Sequence, residues 1–288
     1  MTLSIVQLRD SFGAEISGVD ITKPIGDATF AAIRDAFDEY SVLVFRDQNF
    51  NDESQIAFSQ RFGPLESTVS SNSGGGTLIA DISNVDPKTN EIIPVEGWLS
   101  RYNSGNEMWH TDSSFKNVPA LASLLSGREV PPEGAETEFA SMRKAYDALP
   151  DTEKDRLDGL VAVHDFVYSR GLIDPDMLDA DQRKATPPVR HAVVRTNPAN
   201  GRKAFYTGSH ASHIVGWPVE EGRSLLQDLV SRAVEPDNVY CHEWRPLDLV
   251  IWDNRCILHR GRTWDKARYR RVMHRTTVAG DGPTVPGA

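Results

Sequence analysis

Residues 248–278 read DLVIWDNRCILHRGRTWDKARYRRVMHRTTV. Asp248–Trp252 is a short apolar run, Arg255–His259 a second one that closes just before Gly261, and Tyr269–Val278 a third. Short β-branched or apolar runs bounded by turn residues read as strands. The pattern extends backwards through Val239–His242, Lys203–Thr207 and His191–Thr196. Many short strands separated by turns predict a mainly β protein with a double-stranded β-helix, or jelly-roll, core rather than a parallel sheet. The sequence has no GxGxxG, P-loop or GxSxG motif, which removes the main support for nucleotide-binding and α/β-hydrolase folds.

Flanking helices come from elsewhere in the chain. Asp27 is expected to cap a helix carrying Phe30, Ile33 and Phe37, and Asn51 another carrying Ile56, Phe58 and Phe62 that ends at Gly63. Further helices are expected at Met142–Leu149, at Asp151–Val161 and after Pro218. Residues 41–45 (SVLVF) and Thr77–Val85 read as strands. Asp86–Glu107 and Asp165–Arg190 read as long irregular loops, candidate lids. The one low-complexity stretch is Ser70–Gly76.

The 288 residues are expected to form one domain, 1–288, since a chain of this length can bury about three quarters of its unfolded surface. No apolar run approaches the roughly 18 residues that span a bilayer. The two cysteines, Cys241 and Cys256, have no metal-binding spacing and suit a reducing cytoplasm. The net charge is −10, yet Arg255–Arg275 contains eight Lys or Arg and one acid. Such a stretch fits either a nucleic-acid arm or a pocket for small anions. Its interleaved apolar residues favour the folded pocket, with no nucleic acid and no membrane as partner.

The chemistry centres on Asn106-Glu-Met-Trp-His110-Thr-Asp112. On a strand, residues two apart share a face, so His110 and Asp112 can aim an imidazole and a carboxylate at one point. Adding a distant histidine gives the 2-His-1-carboxylate arrangement of non-haem Fe(II) oxygenases, which leaves positions open for co-substrate and O2. A His-x-Asp/Glu pair arises about once by chance at this composition, so the pair alone is weak. His259, at a strand end, is the best-placed third ligand. Arg270 and His274 lie four apart and share one strand face; Arg271 and Met273 take the other. Arg270 is assigned the planar clamp for a carboxylate.

His110-Thr-Asp112, Thr137 within Gly134–Phe139, His259 and Arg270 together resemble the iron- and 2-oxoglutarate-dependent taurine dioxygenase family. Within it the chain is most similar to the aryloxyalkanoate (2,4-dichlorophenoxyacetate) dioxygenases. The matching phrases are SVLVFRDQ, QIAFSQRFGPLE, ADISNV, WHTDSSF, MRKAYDALP, GSHASH and IWDNRCILHRGR, in order from about Gly13 to Thr277. The resemblance implies Fe(II) on His110, Asp112 and His259, and 2-oxoglutarate held by Thr137 and Arg270, with O2 as oxidant. It implies a small anionic substrate, an aryloxyalkanoic acid cleaved to a phenol, and a homo-oligomer. Asn106, His210, Arg271 and His274 are the candidate substrate contacts. His274 stands where taurine dioxygenase has a sulfonate-gripping arginine. The rival readings are a sulfonate or alkyl sulfate dioxygenase of the same family and a non-catalytic jelly-roll module that binds an acid or a metal.

Overall fold

The computed structural model describes residues 3–68 and 75–285, so most of the Ser70–Gly76 stretch lies outside the described residues. The chain opens with a hairpin, β1 (Ser4–Arg9) and β2 (Phe12–Ser17), followed by α1 (Asp27–Tyr40), β3 (Val42–Phe45) and α2 (Asp52–Ser59). Then come β4 (Ala80–Ser83), α3 (Trp98–Asn103), β5 (Ala122–Glu129), β6 (Thr137–Ser141), α4 (Met142–Asp147) and α5 (Asp151–Leu157). The middle holds β7 (Val161–His164), α6 (Phe166–Gly171), α7 (Ala180–Ala185), β8 (Val189–Ala192), β9 (Val194–Thr196), β10 (Lys203–Phe205) and β11 (Ala211–Ile214). The end comprises α8 (Val219–Ala233), β12 (Val239–His242), β13 (Leu249–Asp253), β14 (Ile257–Gly261) and β15 (Val272–Val278).

A seven-stranded sheet runs β1-β2-β3-β13-β5-β15-β4, and a three-stranded sheet runs β12-β6-β14. The chain leaves the large sheet at β13 and enters the small one at β14, so the tight turn 253–256 joins the two. Alternation along β13 explains its unbroken apolar run. Val250 and Trp252 pack in one core cluster with Phe139, Leu258 and Met273, while Leu249 and Ile251 pack in the other. That second cluster fills the space under α1 and α2 with Phe37, Phe45, Phe58 and Phe62, whose rings meet edge to face. A strand covered on both faces has no polar side, so its sequence loses the alternating pattern.

Several expectations need correction. The expected strand Thr77–Val85 is confined to Ala80–Ser83. Asp27 is the first helical residue, not the cap, which is Gly26. The helix expected to reach Val161 ends at Leu157, because Gly159 adopts positive φ and β7 begins at Val161. Neither expected irregular loop is without structure: α3 and a 3-10 turn, Ser104–Glu107, lie in the first, and α6 and α7 in the second. Local capping accounts for the latter two, since Asp165 accepts from Val167 and Tyr168 and Asp179 forms a capping box with Gln182. The hairpin β1–β2 was not foreseen.

One buried ion cluster ties helix to sheet. Arg255 donates to Asp253, with its Nε 2.9 Å from Oδ1, and to Asp38 of α1 at 2.7 Å. Asp253 is fully buried. Removing one member of a buried pair strands the other, which typically costs about 3–5 kcal/mol. Arg255→Met is therefore expected to lose stability of that order in urea unfolding. An unchanged midpoint would show that water reaches and screens Asp253.

Candidate metal centre

His110 lies on no regular strand. It forms one isolated antiparallel bridge to His259 of β14, with His110 N donating to His259 O at 3.1 Å and His259 N donating to His110 O at 2.8 Å. Directly opposed residues of an antiparallel pair project their side chains to the same side. The two imidazoles accordingly sit 4.1 Å apart, centroid to centroid. Beyond the bridge the chain turns, with Ser113 at positive φ, and Asp112 swings onto the same side. One ligating atom from each of His110, Asp112 and His259 lies within 4.8 Å of the others, and all three residues are buried. The donor set fits a first-row divalent metal.

Hydrogen bonds orient these donors. Met108 O lies 2.7 Å from His110 Nδ1, which makes Nδ1 the protonated nitrogen and leaves the Nε2 lone pair free for a metal. His259 points Nε2 toward Asp112 at 3.7 Å, and its Nδ1 has no partner among the described residues. Burial pushes both histidines below their ordinary value, so both are neutral and ready to ligate. Burial alone would raise Asp112. The Arg275 guanidinium first, with the hydrogen bond from the Ser123 hydroxyl, reverses this and holds the carboxyl well below the usual range.

Asn254, in the turn between β13 and β14, braces the same carboxylate from behind. Its Oδ1 accepts from Asp112 N at 3.1 Å and from Trp252 Nε1 at 3.0 Å. Its Nδ2 donates to Ser123 Oγ at 2.9 Å, and Ser123 donates to Asp112 Oδ2 at 2.7 Å.

One cavity opens on His110 and Asp112, and a second adjoins it, the two sharing Ile82, Asn103 and Asn106 in their walls. The first contains His110, Asp112, Phe115, Arg170, His210 and Arg275. The second contains Asn84, Gly261, Trp264 and Arg271. Arg271 is buried, its guanidinium lies over the Trp264 ring at 5.3 Å, and no described residue accepts a hydrogen bond from it. Burial lowers it to about 10. His210, with Nδ1 2.8 Å from Ser169 Oγ, is buried against Phe115 and Phe166 and pushed well below its ordinary value by burial and by Arg170. Asn106 and His210, two of the candidate substrate contacts, both line the cavity that contains His110 and Asp112.

Arg270 does not. It lies on the outside, where its Nε donates to Glu129 at 2.6 Å and its Nη1 to Asn90 O at 2.8 Å. His274 also faces outward, 2.6 Å from Asp52 of α2. The two share a strand face, as expected, but it is the face turned toward solvent and α2. Met273 is in the inner core cluster, and the same parity carries Arg271 and Arg275 inward. The Met273 signal was present in the sequence; the hydrophobic residue marks the inner face. Thr137 lies in neither cavity wall. It is buried on β6 opposite Gly261, and its Oγ1 accepts from Trp244 Nε1 at 2.9 Å. Arg170, Arg275, Ser123 and Asn254 were not singled out.

The basic stretch is neutralised within the fold. Six of its eight cations pair with carboxylates: Arg255, Arg260, Arg262, Lys266, Arg270 and Arg275. The pairing leaves Arg268 and the buried Arg271 as the cations of this stretch without a carboxylate partner among the described residues. No described helix is long and apolar enough to cross a membrane.

The sequence profile of the "Taurine catabolism dioxygenase TauD, TfdA family" matches residues 4–277. The chain is 43% identical over 277 residues to an alpha-ketoglutarate-dependent 2,4-dichlorophenoxyacetate dioxygenase of Cupriavidus pinatubonensis, covering 94% of this chain and 96% of that one. It is 36% identical to an (S)-phenoxypropionate/alpha-ketoglutarate-dioxygenase of Sphingobium herbicidovorans, covering 96% and 95%. A crystal structure of AAD-2 in complex with Mn(II) and N-oxalylglycine superposes with a TM-score of 0.91 at 42% identity, covering 99% of each chain.

His110→Ala and Asp112→Ala are each expected to abolish Mn(II) binding in calorimetry while the circular dichroism spectrum stays that of a folded protein. Because burial lowers both histidines from 6.5, their neutral form persists as pH falls through that value. Metal affinity should then hold between pH 7.5 and pH 6, about where a free histidine begins to lose its lone pair to a proton. A decline centred on the ordinary histidine value would contradict the buried, neutral pair.

Proposed function

The chain belongs to the TauD/TfdA dioxygenase family, and from that premise and the geometry above we propose that it is an Fe(II)- and 2-oxoglutarate-dependent dioxygenase of aryloxyalkanoic acids. The observation that carries the reading is the buried His110–Asp112–His259 cluster, with His110 and Asp112 in the wall of one cavity and an adjoining cavity lined by a buried arginine without an acceptor. When bound, Fe(II) with O2 and 2-oxoglutarate supplies oxidative decarboxylation to succinate and CO2, coupled to hydroxylation of the substrate. His110, Asp112 and His259 hold the metal. Arg271 holds the distal carboxylate of 2-oxoglutarate as a planar, bidentate partner, taking the role assigned above to Arg270. Thr137, one strand behind Gly261, supports that chamber from β6.

The substrate occupies the other cavity. Its carboxylate meets the cations of that wall, and its ring packs against Phe115, Phe166 and the neutral His210. Hydroxylation of the carbon next to the ether oxygen gives a hemiacetal, which collapses to a phenol and a 2-oxo acid. The large and small sheets are the two faces of a jelly roll, and residues 1–288 are one dioxygenase domain. The unpaired Cys241 and Cys256 support a cytoplasmic location, and the exposed Ile5 and Val6 on the edge strand β1 support a homo-oligomer.

Phenoxyacetate is expected to give phenol and succinate in equal amounts when Fe(II), 2-oxoglutarate and O2 are supplied, and its methyl ester is expected to give neither. Equal turnover of acid and ester would sink the anion-pocket reading. Losing a charge-assisted bond is worth about 1.5–3 kcal/mol, so Arg271→Ala should raise the KM for 2-oxoglutarate by about ten- to a hundredfold. Arg270→Ala should leave that KM unchanged. The reverse ranking would return the co-substrate to Arg270.

A further inference from the structure

Trp244 lies between β12 and β13, is buried, and touches both sheets. Its indole Nε1 donates to Thr137 Oγ1, on β6 of the small sheet, at 2.9 Å. The other edge of the ring rests on β5 of the large sheet, where a β-carbon on Gly127 would lie 3.5 Å from Cε3. His242 meets the indole edge to face at 4.6 Å. His242 is itself fixed, with Nδ1 3.1 Å from the Tyr240 hydroxyl and Nε2 3.2 Å from Asp248. The ring is therefore held from three sides.

An indole nitrogen donates a hydrogen bond and cannot accept one. The Thr137 hydroxyl is thus the acceptor of this bond and keeps its own hydrogen for another partner. Among the described residues none accepts it. Thr137 stands directly opposite Gly261 of β14, and opposed residues of an antiparallel pair project to the same side. That side faces the Arg271 cavity: a β-carbon on Gly261 would find only Asn106 O within 4 Å, at 3.8 Å, and Gly261 and Asn106 both line that cavity. Two residues along the same face, Phe139 lies 6.3 Å from the His259 ring. With no side chain on Gly261, nothing on the opposed residue screens the hydroxyl from the chamber.

We propose that Trp244 is a positioning residue for the co-substrate: its N–H occupies a lone pair of the Thr137 hydroxyl and turns the hydroxyl's hydrogen toward the distal carboxylate that Arg271 holds. The inference rests on the dioxygenase reading and on the chamber assigned there to 2-oxoglutarate. A freely rotating hydroxyl would present that carboxylate with a lone pair part of the time; one that already accepts from an indole presents a donor.

The test is calorimetric titration of the Mn(II)-loaded protein with 2-oxoglutarate and with 2-oxopentanoate, which lacks the distal carboxylate. The wild type is compared with Trp244→Phe, Thr137→Val and the double variant, and thermal melting reports folding. Thr137→Val, which removes a bond to a charged group, should weaken 2-oxoglutarate binding by about ten- to a hundredfold. Trp244→Phe keeps a ring but loses the N–H, and should weaken it by about two- to tenfold. The double variant should bind no more weakly than Thr137→Val alone, because the indole acts through the hydroxyl. Trp244→Phe and the wild type should bind 2-oxopentanoate alike. If Trp244→Phe does not fold, Trp244→Leu replaces it in the same cycle. Wild-type affinity in a folded Trp244 variant or in Thr137→Val, additive losses in the double variant, or equal losses toward both 2-oxo acids each overturns the proposal while leaving the dioxygenase reading standing. If the Mn(II)-loaded wild type does not bind 2-oxoglutarate, that reading falls and the proposal falls with it.

Discussion

The site depends on one pair of backbone hydrogen bonds, those between His110 and His259. They bring an irregular segment onto the edge of the small sheet and set two imidazoles side by side. Everything that fixes β14 therefore fixes the metal centre. β14 is held by β6 on one side, and by the short turn from β13 that makes it the continuation of the large sheet's central strand. Asn254 sits in that turn and reaches both the Asp112 backbone and, through Ser123, the Asp112 carboxylate. The sheet-to-sheet crossover and the ligand carboxylate share one side chain, so a slip in the turn would move the third donor.

Electrostatics decides which groups are available for chemistry. The centre combines two histidines kept neutral by burial with one carboxylate kept ionised by Arg275, which is the charge state a divalent metal needs. The same accounting applied to the basic stretch leaves little free charge: β6 supplies Glu138 for Arg260 and Arg262, and Asp253 and Asp38 absorb Arg255. Pairing removes those cations from consideration and leaves the buried Arg271, whose guanidinium has no acceptor among the described residues, as the informative one. Burial without a partner, rather than local charge density, points to a ligand.

The sequence made the large elements legible because their signals are local. The apolar runs of β3 and β13, the cap at Asn51 and the amphipathic α8 follow from residues within one window. The His-x-Asp pair was legible too, although a bridge and a turn, not a strand, bring its side chains together. The arginines on and just before β15 were harder. A period-2 strand has two faces, and choosing between Arg270 and Arg271 requires knowing which face is inside. Met273, fully buried, shares parity with Arg271 and Arg275. Arg170 left no local signal at all, since its environment is assembled from Tyr102, Gly105 and Phe166, residues on two separate segments.

Those two segments are the stretches that composition marked as irregular, and their real structure explains why. Helices of six residues, such as α3 and α6, are too short to be stable alone and carry no amphipathic periodicity that a sequence reading can detect. They are ordered by contacts to each other: Tyr102 and Phe166 are buried in one small cluster with Met177 and Leu178, and Arg170 lies between their rings. The cluster is separate from the two main cores. The β scaffold can therefore keep the triad and the Arg271 chamber fixed while substitutions in this satellite reshape the other cavity. On the proposed reading, the residues that face the substrate are then not the ones that hold the sheets together.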